Sequence, residues 1–310
     1  MNMKKITNLL PLLLVVFTIA LSSCGVIRRD SGSTAAAVIT DRAGNSVTLP
    51  ARTDRIVSIG PSNTEILIAF GFGDKIVAAD DYSAGIAGLK KDIPLFDMLA
   101  PDGEQIIQLE PDVIFVTGMS GFGGDDPFKP VTDAGVCVLY IPTSDSIAEI
   151  KKDIRFIADV LNAAKAGDNI ISDMEREIDA VKAIGDSIAD KKTVYFEISA
   201  APWMYSFGSG VYLDEMIVIL GAENILADQE SWLAVADEAV LDKNPDVILT
   251  SVDYIDDPVG EIMSRPGWDV ITAVKNGDVY YIDADASNRP SHNIIKALKE
   301  MAKAVYPGAY

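Results

Sequence analysis

A stretch of 45 residues without proline, from Ser146 to Asp190, constrains the fold more than any other part of the chain. Apolar residues recur every three or four positions from Ile147 to Leu161, which predicts one apolar face of a helix. Gly167-Asp168 interrupts this pattern, and a second periodic run follows. We predict a first helix that closes one lobe. A second helix, over about residues 163–189, would be about 40 Å long and could cross between two lobes.

Short apolar runs alternate with helical patterns on both sides of that stretch. This alternation predicts an α/β fold with mainly parallel sheets, whose ligand loops lie at the carboxyl ends of the strands. We expect an N-terminal α/β lobe over residues 38–145, linking helices over 146–190 and a C-terminal α/β lobe over 191–310. The predicted strands are a hairpin over residues 38–49, then 55–59, 75–79, 111–117, the run around Cys137, 193–198, 245–250 and 279–282.

Two segments of the chain repeat each other in register. Glu104–Ile114 and Glu238–Ile248 share Glu, Pro, Asp, Val and Ile at an offset of 134 residues. A repeat that occurs once at this scale indicates two similar lobes rather than a solenoid. A helix followed by a proline-led strand is also a common unit, so chance agreement is the alternative. Two ordinary core helices within a single domain would equally explain the proline-free stretch taken alone.

The start of the chain is typical of a secretory signal. Lys4 and Lys5 precede an almost wholly apolar run, which ends in Leu-Ser-Ser-Cys24. That order resembles a bacterial lipobox, in which Cys24 becomes the lipidated first residue of the mature protein. We predict a lipoprotein signal peptide over residues 1–23 and a flexible tether over 24–37. An ordinary cleavage site beside an incidental cysteine is the alternative, and the run is short for a transmembrane helix.

The charge and the cysteines narrow the classes of partner. The formal net charge is −20, and it becomes −22 when Lys4 and Lys5 leave with the signal. Because the chain has no basic stripe that could neutralise phosphates, we predict no nucleic-acid partner. The excess of acid favours a solvated surface, the steering of cationic ligands or docking to a basic partner. If Cys24 is lipidated, Cys137 has no disulfide partner, and its apolar neighbours predict an inert core thiol.

Several motifs resemble those of the substrate-binding proteins of ABC importers for iron-siderophores, haem and cobalamin. They are the segment from Arg55 to Leu67, the two Pro-Asp-Val-Ile strands, Gly221-Ala-Glu-Asn-Ile225 and the Asn288-Arg289-Pro290 turn. The resemblance covers about residues 38–307. It implies the class III periplasmic-binding-protein fold, in which two Rossmann-like lobes are joined by one long rigid helix and the ligand lies between them.

The resemblance also implies the protein's partners and place. We expect a monomer, held by a lipid anchor on the extracytoplasmic face of the cell membrane. It would capture a ferric-siderophore, haem or cobalamin-type ligand and deliver it to an ABC importer permease and its ATPase. In that family one glutamate on each lobe pairs with arginines of the permease, and the matching positions are Glu104 and Glu238. The alternative is that both are helix-start acids favoured by the helix dipole.

Aromatic residues gather where the strand-end loops are predicted. Flat aromatic walls suit corrin, porphyrin or catecholate ligands, which present large π or apolar faces. The resemblance adds that the positions matching Tyr82, Phe96 and Trp232 contact the macrocycle in cobalamin-binding relatives. Core packing is the alternative for the aromatic residues, and a salt bridge within one lobe is the alternative for Arg289. The predicted ligand-binding residues are Tyr82, Phe96, Trp203, Tyr205, Trp232 and the polar contact Arg289, with Phe122 in a glycine-rich loop nearby.

The sequence favours neither a resident metal nor an enzyme. With His292 as the single histidine, no His-rich metal cage can be assembled, so we predict no cofactor besides the transported ligand. We expect His292 to be a surface cap of the last helix, with an axial ligand of haem iron as its alternative role. Tyr82 or Tyr205 are the sharper candidates for ligating haem iron. A secreted hydrolase using paired carboxylates, such as Asp125-Asp126 or Asp256-Asp257, is the alternative from another class.

Overall fold

The computed structural model describes residues 37–121, 124 and 126–310, which contain two parallel sheets with helices on both faces. The predicted signal peptide, almost all of the predicted tether, Cys24, Phe122 and Asp125 lie outside the described residues. The predicted α/β fold with mainly parallel sheets is confirmed.

The N-terminal lobe is built on a five-stranded sheet. Its elements in chain order are β1 (Val38–Thr40), β2 (Ser46–Thr48), β3 (Ile56–Ile59), α1 (Pro61–Ala69), β4 (Ile76–Asp80), β5 (Leu95–Phe96), α2 (Gly103–Gln108), β6 (Val113–Thr117), α3 (Lys129–Asp133) and β7 (Cys137–Ile141). The strand order is β5-β4-β3-β6-β7, with every neighbouring pair parallel. Strands β1 and β2 form the predicted antiparallel hairpin.

The strands of this sheet are buried on both faces, so their side chains alternate between two cores. In β6, Val113 and Phe115 point to one core and Ile114 and Val116 to the other. The first core is shared with α1, and the second with α2 and α3. This pattern explains why the strands read as continuous apolar runs rather than as alternating ones.

Two helices follow β7, as predicted. They are α4 (Ile147–Val160) and α5 (Ala164–Gly185). The break between them lies at Asn162, which has φ 54°, and Gly167 lies within α5 rather than interrupting the pattern. Helix α5 has 22 residues and is therefore about 33 Å long, shorter than expected from the sequence. As far as residues 37–310 are described, none of the helices is both long and apolar enough to cross a bilayer.

The end of α5 is set by a close contact with the next lobe. A Cβ atom placed on Gly185 would lie 2.2 Å from the carbonyl oxygen of Ile219 and 2.9 Å from the nitrogen of Gly221. Only glycine allows the backbones to approach so closely. The helix therefore ends four residues before the predicted position because tertiary packing, not periodicity, determines its last turn.

The C-terminal lobe is built on a four-stranded sheet. Its elements are β8 (Thr193–Glu197), β9 (Tyr205–Phe207), α6 (Tyr212–Ile219), β10 (Glu223–Asn224), β11 (Trp232–Ala234), α7 (Asp237–Lys243), β12 (Val247–Thr250), α8 (Pro258–Met263), α9 (Thr272–Asn276), β13 (Val279–Tyr281), α10 (Ala284–Asn288) and α11 (Ile294–Val305). The strand order is β10-β8-β12-β13, all parallel. Strands β9 and β11 form a separate antiparallel pair that the sequence analysis missed.

The repeated segments occupy equivalent places in the two lobes. Asp112 accepts hydrogen bonds from the backbone nitrogens of Asp54 and Arg55, at 2.8 and 2.9 Å, just before β3. Asp246, at the offset of 134, accepts from the nitrogen and hydroxyl of Thr193 at the start of β8, both at 2.9 Å. The aspartate of each Pro-Asp-Val-Ile motif thus ties the start of one strand to the start of its neighbour.

One apolar core runs through both lobes. It joins Ile154 of α4 to Met174 and Val181 of α5, and continues to Met216 of α6 and Met301 of α11. Buried apolar contact of this extent resists relative movement of the lobes, because separating them would expose the surface to water. The long helix is therefore packed along both lobes rather than suspended between them.

A buried ion pair lies under the C-terminal sheet. Arg265 donates to both carboxylate oxygens of Glu197, at 2.9 and 3.0 Å, and also pairs with Glu261 at 2.5 Å. Its guanidinium carbon lies 4.1 Å from the ring centroid of Trp268, a cation–π distance. Both Arg265 and Glu197 are buried, so each charge depends on the other for compensation.

Replacing Arg265 with methionine is expected to lower the free energy of unfolding by about 3–5 kcal/mol, because Glu197 would remain buried without a counter-charge. The measurement is equilibrium unfolding in urea. Arg176→Met is the matched control, since Arg176 pairs with Asp173 on the exposed side of α5 and should change stability by no more than about 0.5 kcal/mol. Equal losses in the two variants would contradict the assignment.

Candidate ligand-binding cleft

The strand order locates a switch point in each sheet, where binding sites of open α/β folds form. In the N-terminal sheet the chain proceeds from β3 to β4 on one side and later returns to β6 on the other. In the C-terminal sheet β10 lies on one side of β8 and β12 on the other. The carboxyl ends of β3 and β6, and of β8 and β12, are therefore the positions at which a ligand site is expected.

The first switch point is shaped by Gly60, directly after β3. This residue has φ 114°, and a Cβ atom on it would lie 2.8 Å from Cβ of Thr117, at the end of β6. An L-residue with a side chain would be strained by its backbone and would collide with the neighbouring strand end. Gly60 thus lets the two strand ends approach and leaves space above them.

A cavity of about 240 Å³ lies above this switch point and is covered from the C-terminal lobe. The N-terminal lobe contributes strand-end residues, and the C-terminal lobe contributes the turn after α10. Residues of both lobes therefore share one pocket, as the predicted cleft requires. The residues that line it include Gly60, Pro61, Ser62, Asn63, Met98, Thr117, Met119, Ile141, Pro142, Thr143, Asn288, Arg289 and Pro290.

Asp80 holds the loop that carries Tyr82. Its carboxylate is fully buried and accepts from the nitrogen of Gly60 at 2.8 Å, the nitrogen of Tyr82 at 3.0 Å and the hydroxyl of Ser83 at 2.6 Å. Asp80 is therefore a structural residue, and its charge does not face the solvent. The ring of Tyr82 beside it is 63% exposed and free to contact a ligand.

Three exposed aromatic side chains follow the strand ends of the C-terminal lobe. Trp203 is 83% exposed, Tyr205 is 39% exposed and Tyr254 is 65% exposed. The Tyr254 hydroxyl accepts from the nitrogen of Ala200 at 2.8 Å and lies 3.1 Å from Oγ of Ser199, which joins the loop after β12 to the loop after β8. Tyr254 was missed by the sequence analysis, although its place after the Thr250 strand was a usable signal.

Phe96 and Trp232 have different surroundings from these exposed rings. Phe96 is buried in the core of the N-terminal lobe, so the structure corrects its expected position on a pocket wall. Trp232 is half-buried and packs edge-on against Phe207 and Tyr212, with ring centroids 5.8 and 6.1 Å apart. These contacts attach the β9–β11 pair to the core. A ligand contact by Trp232 stays a prediction.

Arg289 forms a salt bridge, but the bridge crosses from one lobe to the other. Its Nη1 donates to Oε1 of Glu65 in α1 at 3.1 Å, and its Nη2 lies 3.3 Å from the carbonyl oxygen of Tyr82. Nη2 also pairs with Asp285 at 2.5 Å, and the hydroxyl of Ser291 hydrogen-bonds Oε2 of Glu65. The salt bridge within one lobe, to Asp285, is present as expected, but a second bridge, to Glu65, joins the two lobes. An anion would have to compete with two carboxylates for Arg289.

Burial shifts the pKa values of three further side chains, Asp153, His292 and Cys137. Desolvation raises the pKa of Asp153, which lines the cavity wall, against hydrogen bonds from Ser144 and Arg42. Burial lowers the pKa of His292, and its Nδ1 has no hydrogen-bond partner among the described residues. His292 is not the expected helix cap, because Asn293 holds that position. Desolvation raises the pKa of Cys137 to about 12, consistent with the predicted inert thiol.

The acidic side chains bear on two further alternatives, a metal site and a hydrolase. Within the described part of the chain, no group of three or more His, Cys, Asp or Glu side chains is arranged to hold a metal ion. Asp126 accepts from the Tyr140 hydroxyl at 2.6 Å, and Asp257 caps α8 through the nitrogen of Gly260 at 2.8 Å. One acid of each pair considered for hydrolysis, Asp126 and Asp257, thus has a structural contact.

Glu104 and Glu238 lie at equivalent positions in the two lobes. Each is exposed in the first turn of the helix that precedes a strand at the switch point, α2 before β6 and α7 before β12. Among the described residues neither carboxylate pairs with a basic side chain. Their predicted docking role is compatible with this exposure and stays a prediction.

Comparison with known proteins agrees with this architecture. An uncharacterized ABC transporter substrate-binding lipoprotein of Bacillus subtilis, YvrC, is 32% identical over 274 residues, covering 88% of this chain and 86% of that protein. A vitamin B12-binding protein of Vibrio cholerae is 26% identical over 257 residues, covering 81% of this chain and 89% of its own length.

A solved structure described as a possible iron-binding, periplasmic solute-binding protein of Staphylococcus epidermidis superposes with a TM-score of 0.73. It is 28% identical and covers 82% of this chain and 98% of its own. Residues 56–286 match the family described as periplasmic binding protein, a range that includes both sheets and the long helix. The chain therefore belongs to the periplasmic binding protein family, the substrate-binding components of ABC transporters, and has the predicted class III fold.

Proposed function

We propose that this protein captures a large planar ligand between its two lobes and delivers it to an ABC importer. The ligand would be a corrinoid, a haem or a ferric siderophore. The observation that carries this proposal is the cavity above the N-terminal switch point, which the C-terminal turn at Arg289 covers. The exposed aromatic rings of both lobes follow the ends of strands in the same two sheets.

The aromatic side chains give the proposal its physical basis. Tyr82 on one lobe and Trp203 and Tyr254 on the other expose most of their surface to water. Contiguous exposed apolar surface often marks a site that a ligand or partner covers, so these rings are candidates for ligand contacts. A flat macrocycle covers such rings by stacking, and the polar tips of the tyrosines remain able to bind its edge.

A ligand panel tests the proposal as a whole. The expected result is that the purified protein quenches its own tryptophan fluorescence with at least one of cyanocobalamin, haemin or a ferric siderophore, at one ligand per chain and without turnover. The titration is repeated by calorimetry. Failure of every ligand to bind, or steady conversion of a bound ligand to product, would contradict a binding protein of this kind.

Delivery would depend on Glu104 and Glu238. Each carboxylate is exposed and lacks a basic partner among the described residues, so each is available to an arginine of the permease. Their equivalent placement supports docking in one orientation on a two-fold partner. The lipid anchor would be Cys24, in agreement with the lipoprotein named among the relatives.

Trp203→Ala is expected to weaken ligand binding by about ten- to a hundredfold, since loss of one stacking wall costs about 1–3 kcal/mol. The thermal midpoint should not change, because the side chain is 83% exposed. Val218→Ala is the matched control, as Val218 is 60% exposed but lies on α6 rather than in a loop at a strand end. An unchanged dissociation constant for Trp203→Ala would remove this residue from the site.

Replacing Glu104 and Glu238 together with alanine is expected to leave ligand affinity unchanged and to abolish ligand-dependent stimulation of the importer ATPase. Each change removes a charge-assisted pair of about 1.5–3 kcal/mol, so single variants should be partial. The measurement is transport in reconstituted vesicles alongside calorimetry, with Glu175→Ala on the exposed face of α5 as the control. Transport at the wild-type rate in the double variant would exclude these glutamates from docking.

Cys24→Ala is expected to release the folded protein from the membrane, because lipidation requires the cysteine and a strongly acidic chain has little affinity for anionic lipid. The measurement is the share of protein in the membrane fraction after a high-salt wash. Retention of the variant at the wild-type level would disprove the anchor, and Cys137→Ala serves as the matched control.

A further inference from the structure

We infer that Glu65 determines the charge of the ligand: by neutralising Arg289 it makes the cleft select planar ligands without net negative charge. This inference rests on the proposed function, because it concerns what the same cleft accepts. It assigns to Glu65 a specificity role and explains why the basic side chain of the cavity is not an anion site.

The contacts that Arg289 already makes leave it unavailable to bind an anionic ligand. Of the described residues that line the cavity, Arg289 alone is basic. Two carboxylates already occupy its guanidinium, Glu65 at 3.1 Å and Asp285 at 2.5 Å. The carbonyl oxygen of Tyr82, 3.3 Å from Nη2 of Arg289, accepts a further hydrogen bond from the guanidinium. One positive charge facing two negative ones leaves the group with a net negative charge.

Burial makes the pairing with Glu65 difficult to exchange. Glu65 is 6% exposed, and its second oxygen is held by the hydroxyl of Ser291. An anionic ligand that took Arg289 would leave this carboxylate buried without its counter-charge, which proteins tolerate poorly. Asp285 is exposed, so water can solvate its carboxylate if an anion displaces it from Arg289. Glu65 is buried and has no such alternative, so Glu65 rather than Asp285 opposes the binding of an anion.

Two acidic residues next to the exposed tyrosines add to the same preference. Asp81 and Asp253 are exposed, each beside one of the exposed tyrosines, Tyr82 and Tyr254. Like charges brought together on binding disfavour the wrong ligand, which is how an unpaired acid rejects an anion. A planar ligand whose edge carries amides rather than carboxylates meets no such opposition. It can donate hydrogen bonds to the acids and stack on the rings.

The test compares a neutral probe, cyanocobalamin, with a trianionic probe, a ferric tris-catecholate, by calorimetry on the purified protein at low and high salt. The wild type is expected to bind cyanocobalamin at least about a hundredfold more tightly than the tris-catecholate. Glu65→Gln frees the charge of Arg289 while retaining the shape of the side chain. It should tighten binding of the tris-catecholate by about tenfold or more, most strongly at low salt.

Glu175→Gln is the control, because it removes one negative charge from the exposed face of α5 and should leave the preference unchanged. Circular dichroism checks the fold of each variant. If Glu65→Gln does not fold, the wild-type preference alone decides the matter. Binding of the tris-catecholate as tightly as cyanocobalamin, or an unaltered preference in folded Glu65→Gln, would overturn the inference and leave the proposed function intact. Failure of both probes and of every other ligand would overturn both.

Discussion

The carboxylate of Glu65 joins the two lobes at the floor of the cleft. It lies on α1, the helix that leaves the N-terminal switch point, and it meets Arg289 and Ser291 from the turn that leads into α11. A second contact crosses nearby, where Glu215 of α6 accepts from the nitrogen of Ile147 at 3.1 Å. Together with the core that runs along α5, these contacts fix how the two sheets face each other. The cavity lies between strand ends of the N-terminal lobe and the turn at Arg289, which these contacts hold in place.

Much of the fold could be predicted from the sequence because its largest elements have strong periodicity. The helices α4 and α5 have long apolar faces, and the strands of parallel sheets are continuous apolar runs. The repeat at an offset of 134 residues also had structural meaning, since Glu110 and Asn244 at that offset share a left-handed backbone, with φ 46° and 45°. Elements of two to six residues, such as β9, β10 and α8, were missed. They are too short to show a period and are stabilised by tertiary contacts.

The candidate site was less predictable than the fold, for a physical reason. The position of an aromatic residue after a strand could be predicted, and Tyr82, Trp203 and Tyr205 are exposed there. Whether such a ring faces a ligand or the core depends on packing against residues that are distant in the sequence. The sequence therefore could not distinguish the buried Phe96 from these exposed rings. The partner of Arg289 lies 224 residues away in sequence, and no local pattern reveals that pairing. Tyr254, by contrast, could have been found with the same strand-end argument.

Hydrogen–deuterium exchange with and without bound ligand tests most directly the claim that the ligand lies between the lobes. The account predicts slower exchange at strand ends of both sheets, in segments 60–64, 117–121, 199–205 and 251–254, and in the turn over 288–291. The outer face of α5 should not change. Protection confined to one lobe, or centred on the β1–β2 hairpin, would contradict a site shared by the two lobes.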